Sequence, residues 1–275
     1  PARTRQARRD VGGGERGVKA YYTDDAVTLY LGDCRAVMHE IDFDTLGLPD
    51  LVVADPPYGE TSLPWDRWPV GWLDAVADYV DSLWSFGSLR MFLGHADEFT
   101  AAGWRLSQDV IWSKPRGGVA YKDRATARVH EQIAHWYRGD WSKVHHEQPR
   151  REHYGPGKGT IHRGETGPAW NGARRAHQWT DDGTRALRSV IECQTMRMRG
   201  IHPTEKPTGI LEPLIAYGCP PGGLVLDPFA GSGSTLAAAR SIGRRAIGIE
   251  AREDYCEAIA KRLDQGTLDF TEEPA

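Results

Sequence analysis

Apolar positions along the chain fall into short runs that alternate with helical stripes. "AVTLYLGD" (Ala26 to Asp33) and "DLVVADPP" (Asp50 to Pro57) read as strands. The second is continuous in its apolar character, as in a sheet covered on both faces. In "GWLDAVADYVDSLW" (Gly71 to Trp84), Leu73, Val76, Ala77, Val80 and Leu83 share one helical face. "SLRMFLG" (Ser88 to Gly94), "SQDVIWSK" (Ser107 to Lys114) and "HEQIAHWYRG" (His130 to Gly139) then read as strands. From Asp140 to Glu192 neither period holds, and Gly, Arg, His and Trp dominate. Periodicity returns with a helix after Pro207, the strand "GLVLDPF", the helix "STLAAARSIG", the strand "RRAIGIE" and a final helix "REDYCEAIAKRLDQ". Strand, Gly-rich turn, helix and strand predict a right-handed βαβ unit. The expected fold is α/β, a doubly wound and mostly parallel sheet carrying one irregular insertion.

Composition narrows this only a little. A chain of 275 residues, 40% hydrophobic and 26% charged, suits one large domain with an insertion. No apolar run approaches the ~20 residues of a membrane-spanning helix. The opening "PARTRQARRDVGGGERG" lacks the apolar centre of a secretory signal, so residues 1–18 read as a flexible basic arm. Cys34, Cys193, Cys219 and Cys256 stand singly, without zinc or disulfide spacing, which points to a reducing cytoplasmic setting. His145, His146, His153, His162 and His177 lack the i, i+4 spacing of a helical zinc site, and no metal is expected.

Charge distribution says more than net charge. Residues 140–200 hold eleven Lys or Arg against seven Asp or Glu, a surplus of four in a chain of net −4, so the remainder is near −8. A basic island in an acidic chain suits a phosphate-facing surface, with a solvated loop region as the plain alternative. Aperiodic stretches of this length inside a compact domain are usually functional.

The turn in "LVLDPFAGSGSTLAAARSIGRRAIGIE" carries chemistry. Gly231 and Gly233 sit where strand becomes helix, so backbone N–H groups can approach a ligand closely. Glu250 ends the next strand, where an acidic residue reaches ribose hydroxyls. A dinucleotide fingerprint would need a third glycine where Leu236 stands, and a phosphate-binding Walker loop would need a lysine that this turn lacks. S-adenosylmethionine (SAM) is the remaining nucleotide-like option. A tight turn without a ligand is the structural alternative.

"DPPY" (Asp55 to Tyr58), then "HPTEKP" (His202 to Pro207), then "DPFAGSGST" (Asp227 to Thr235) is an order that resembles the amino-group DNA methyltransferases, in particular their β group. "YLGDC", "VIWSKP" and "HEQIAHWYRG" agree with it. The resemblance implies a Rossmann-like SAM-methyltransferase fold, a prokaryotic or phage source, SAM as cofactor and double-stranded DNA as partner, with no membrane. Dimers occur in that group, so a homodimer is one expectation. By the same resemblance residues 19–139 form the catalytic half, 140–200 a target-recognition insertion, 201–265 the SAM-binding half, and 266–275 a tail. Asp227, Phe229, Ala230, Gly231, Ser232, Gly233, Ser234 and Thr235 would hold the cofactor, with Glu250 on its ribose. Asp33 would lie on its adenine side, or serve as a turn former. Thr204 and Lys206 would contact cofactor or backbone.

An exocyclic amine of a base is a poor nucleophile because its lone pair is delocalised into the ring. Two acceptors aimed at its hydrogens favour a pyramidal nitrogen. Asp55 offers one and the Pro56 carbonyl the other, held rigid by Pro56 and Pro57. Tyr58 offers a stacking face for a base flipped out of the duplex. Trp65 and Trp68 suit either that pocket or packing on the following helix. Lys143, Arg150, Arg151, Lys158, Arg163, Arg174 and Arg175 are the expected DNA contacts. "DPPY" in place of a serine-initiated tetrapeptide implies adenine N6, with cytosine N4 as the alternative and RNA or protein amino groups behind both.

Overall fold

The structure is a computed structural model and describes residues 17–115, 126–152, 183–194 and 205–265. In chain order its elements are β1 (Tyr22–Thr23), β2 (Val27–Leu31), α1 (Cys34–Val37), α2 (Phe43–Leu46), β3 (Leu51–Ala54), α3 (Trp72–Ala77) and β4 (Ser82–Gly87). Then come α4 (Leu89–Gly94), α5 (Ala96–Ala101), β5 (Arg105–Ser113), β6 (His130–Tyr137), β7 (Arg150–Glu152), β8 (Thr184–Ala186) and β9 (Val190–Glu192). The last are α6 (Thr208–Gly218), β10 (Leu224–Asp227), α7 (Ser234–Ser241), β11 (Arg245–Glu250) and α8 (Glu253–Asp264).

A nine-stranded sheet runs in the order β1-β2-β11-β10-β3-β4-β6-β5-β9. Strands β2, β11, β10, β3 and β4 are mutually parallel. Strand β6 runs antiparallel to both β4 and β5. Both faces are covered, as the continuous apolar runs require. Val52 and Ala54 of β3, Leu224 and Leu226 of β10, and Ile247 and Ile249 of β11 enter one core with α1, α3 and α5. Leu51, Val53, Val225 and Ala246 enter the other, against α6, α7 and α8. Asp50 fixes the register of β3 on β10: its N–H donates to Leu224 O and its Oδ2 accepts from Leu224 N, both at 2.8 Å. The predicted doubly wound α/β fold is the observed one.

Two predicted elements are corrected. The helix expected over Gly71 to Trp84 stops at Ala77, and Ser82–Gly87 forms a strand instead. All six residues of β4 are buried, because β3 and β6 flank it in the sheet and a core covers each face. Leu83 therefore matched the helical stripe by coincidence of spacing. The strand expected over Ser88 to Gly94 is helix α4, started by the Ser88 side chain accepting from Met91 N at 2.9 Å. Met91 is buried while Leu89 and Leu93 are exposed, so only one face of the apolar run is core, as in a helix rather than a buried strand.

The chain divides into two compact units, Gln148–Arg188 and the remainder. In the smaller unit β7 and β8 form an antiparallel pair, with Arg150 opposite Ala186. In the larger unit β9, from the end of the aperiodic stretch, adds to the main sheet parallel to β5. Among the described residues no helix is long and apolar enough to cross a membrane.

Candidate active site

Four consecutive strands of the sheet, β2, β11, β10 and β3, end in or just before a carboxylate at the same edge. These are Asp33, Glu250, Asp227 and Asp55. Crevices beyond the carboxyl ends of parallel strands are where such sheets place ligands.

At β3 the prolines end the strand and Asp55 is held from two sides. Tyr58 Oη donates to Asp55 Oδ1 at 2.8 Å. Lys206 Nζ donates to Asp55 Oδ2. Burial, then the Asp55 and Glu131 charges, hold the Tyr58 phenol well above its ordinary range, so it remains a donor. The following loop is clamped by Asp66, whose buried carboxylate accepts from Gly59 N at 2.8 Å and Thr61 N at 2.7 Å. Gly59 has φ +70°, a left-handed turn that glycine adopts without strain. Trp68 stacks on His95 at 3.9 Å, and its Nε1 donates to Glu98 at 2.8 Å. Its packing role is the observed one. Trp65 is half exposed.

At β10 the chain turns through Gly231 (φ +53°) and Gly233 (φ +75°), the latter opening α7. A Cβ at Gly233 would stand 2.9 Å from Ile259 Cγ2, so glycine is required there twice over. Glu250 clasps the turn: Oε2 accepts from Gly231 N at 2.8 Å and Oε1 from Arg252 N at 2.9 Å. Burial raises its pKa. Asp227 accepts from Phe229 N at 3.0 Å and from Thr235, yet burial pushes its carboxyl up to about 7, with the Asp55 and Glu250 charges adding to the effect. Ala230, Ser232, Ser234 and Thr235 are buried, Ser232 Oγ lies 2.8 Å from Ser234 Oγ, and the Phe229 ring meets Trp72 edge-on at 5.3 Å.

Asp33 caps α1 and is engaged by Arg35 at 2.5 Å, which lowers its pKa. Lys206 pairs with Asp55 and stands 3.6 Å from Glu131 Oε2. Helix α6 approaches β3 and β4, which brings the lysine before it to the "DPPY" end. Thr204 lies outside the described residues.

Glu131 was missed by sequence reasoning. It sits near the start of β6, and because β6 is antiparallel its first residues reach the edge where the parallel strands end. A lone carboxylate opening an apolar strand was the available signal. Lys143 is exposed in a single 3-10 turn of the larger unit. Arg150 and Arg151 are exposed on β7, and Arg150 Nε donates to Thr184 Oγ1 at 2.7 Å. Lys158, Arg163, Arg174 and Arg175 lie outside the described residues. Among the described residues no cluster of three His, Cys, Asp or Glu is placed to hold a metal.

Comparison with known proteins gives matches over most of the chain. A family model described as DNA methylase matches residues 49–262. The chain is 25% identical over 281 residues to the type II methyltransferase M2.DpnII of Streptococcus pneumoniae, covering 92% of this chain and 95% of that protein. The crystal structure of the M1.HpyAVI–SAM complex superposes with a TM-score of 0.60 at 23% identity, covering 86% of this chain and all of that one (100%). The PvuII DNA methyltransferase, cytosine-N4-specific, superposes at 0.58 with 16% identity over 94% and 92% of the two chains. At such identities the two structures speak to the fold.

Proposed function

The chain belongs to the N6/N4 DNA methylase family, and from that premise we propose that it transfers a methyl group from SAM to adenine N6 in double-stranded DNA. The observation that carries this reading is the adjacency of β3 and β10 in the sheet, which sets Asp55 beside the glycine turn. An acceptor for an amine and a cradle for a nucleotide-like cofactor thus share one edge.

The residues present fit SAM. Asp227, Glu250 and Asp33 line the cofactor side with carboxylates, which repel a pyrophosphate but suit a ligand bearing cations and ribose hydroxyls. M1.HpyAVI, which shares the fold, crystallises as a complex with this same ligand. SAM, when bound, supplies an electrophilic methyl on a sulfonium. Asp55 and the Pro56 carbonyl accept from the target amine and free its lone pair. Tyr58 anchors Asp55 through its hydroxyl and supplies the ring on which a flipped base stacks, returning ~1–3 kcal/mol of the unstacking cost. Positioning and preorganised charge supply most of the rate. Lys143, Arg150 and Arg151, together with Lys158, Arg163, Arg174 and Arg175, hold the DNA backbone.

The tetrapeptide beginning in Asp55 favours adenine. Cytosine N4 is the second reading, because both amines demand the same two acceptors. Nucleoside mass spectrometry of duplex DNA incubated with protein and SAM tests the assignment. N6-methyladenine is expected. N4-methylcytosine as the sole product overturns the base, and methyl appearing only in RNA or protein overturns the substrate. Asp55→Ala should bind SAM as the parent does and transfer no methyl.

A further inference from the structure

The methylated amine must lose a proton, and a line of alternating charges leads away from Asp55. Lys206 Nζ meets Asp55 Oδ2 and lies 3.6 Å from Glu131 Oε2, while Glu131 Oε1 accepts from Lys114 Nζ. These groups come from four separate parts of the chain: the end of β3, the segment before α6, β6, and the residue after β5. Lys206 is buried, with its ammonium 5.1 Å from the Phe86 ring centre. Glu131 Oε2 is also buried and makes no hydrogen bond among the described residues. A buried carboxylate oxygen without a donor is uncommon in a settled core. Here it faces the same ammonium that touches Asp55. Burial opposes the charge on both groups, but Asp55 and Glu131 raise the Lys206 pKa, and Lys206 and Lys114 lower that of Glu131. At rest the pair is therefore ammonium and carboxylate.

We propose that Lys206 and Glu131 form the exit for the proton released by the methylated amine, an inference that rests on the amino-methylation reading above. Formation of the C–N bond leaves the nitrogen cationic. Its N–H bond breaks and an O–H bond forms on Asp55. Lys206 gives one proton to Glu131 Oε2 and becomes a neutral amine, which then takes the Asp55 proton. One proton has moved from Asp55 to Glu131, Asp55 is again a carboxylate, and Lys206 is again an ammonium. In the intermediate all three groups are neutral, a state that a mostly buried site tolerates well. Lys114 beside Glu131 favours the carboxylate and so drives the proton onward to solvent. Lys206 is a catalytic residue because it touches the reacting carboxylate, and Glu131 acts through it.

Lys206→Arg and Glu131→Gln test this in the full-length protein on duplex DNA. Arginine keeps the cation but cannot be deprotonated in a protein, so it preserves charge and removes the relay. Glutamine removes the acceptor at nearly constant shape. Each variant should lose about 10²-fold in kcat, the usual scale for a proton-transfer group, and acquire a larger solvent deuterium isotope effect on kcat. SAM binding measured at equilibrium should match the parent, and Glu131→Asp should recover part of the rate. Parental kcat and isotope effect in either variant overturn the relay. Loss of SAM binding in both also overturns it, by making the pair structural. A parent that methylates no DNA amine defeats the underlying reading, whereas an active parent with indifferent variants defeats the relay alone.

Discussion

Asp227 is a site carboxyl whose ionisation is costly in the folded chain. Burial, with Asp55 and Glu250 nearby, places its pKa at about 7, against hydrogen bonds from Thr235 and Phe229 N that pull it down. A carboxyl whose folded pKa is raised contributes stability at low pH that is lost as pH rises through the folded value. The ligand-free protein should therefore melt at lower temperature at pH 8 than at pH 6. A cationic ligand beside the carboxylate reverses the preference. SAM affinity should rise across the same window, by at most roughly tenfold per pH unit, with proton release visible by calorimetry in buffers of different ionisation heat. Asp227→Asn should flatten both trends; pH-dependent SAM affinity surviving in that variant would assign the titration elsewhere. Asp55 and Tyr58 were legible in the sequence because they are three residues apart and bond to each other. The Lys206 contact was not, because 151 residues separate it from Asp55.

At the scale of elements, the glycine turn shows how two similar positions differ. Gly231 and Gly233 both have positive φ, but a Cβ at Gly231 would meet nothing nearer than Phe229 O at 3.7 Å. At Gly233 it would strike Ile259 of α8. Gly231→Ala should cost about 1 kcal/mol, the backbone term alone. Gly233→Ala should cost about 1–3 kcal/mol more through overpacking and displace the start of α7. Thermal unfolding of the two variants checks the ranking, and equal losses would show that Ile259 yields freely. Strands β2, β3, β10 and β11 were legible because each is a short apolar run with a sharp stop. The span from Gly71 to Gly94 was misread because a buried strand and a helical stripe can share spacing, and only pairing partners decide between them.

For the whole molecule, the uneven charge has a mechanical counterpart. The smaller unit Gln148–Arg188 lies within the basic stretch, while the strand that follows it, β9, belongs to the main sheet. Replacing residues 148–188 with a short Gly/Ser linker should leave the larger unit folded and able to bind SAM, since both cores lie within that unit. DNA affinity should fall, and the steepness of its salt dependence should fall with it as phosphate contacts are removed. Filter binding at several salt concentrations reads this directly. An unchanged slope would move the DNA contacts to the larger unit.

The sequence by itself determined what resides in consecutive residues: the strand stop at Asp55 through Tyr58, the glycine turn after β10 and the carboxylate that ends β11. Proline, glycine and strand ends act over a few residues, so their consequences are written locally. Only the tertiary structure decided that β3 lies beside β10, that β6 runs backwards to deliver Glu131, and that Lys206 closes onto Asp55. Those depend on sheet order and strand direction. Both are set by which apolar faces bury one another across the whole chain, and no local pattern carries that information.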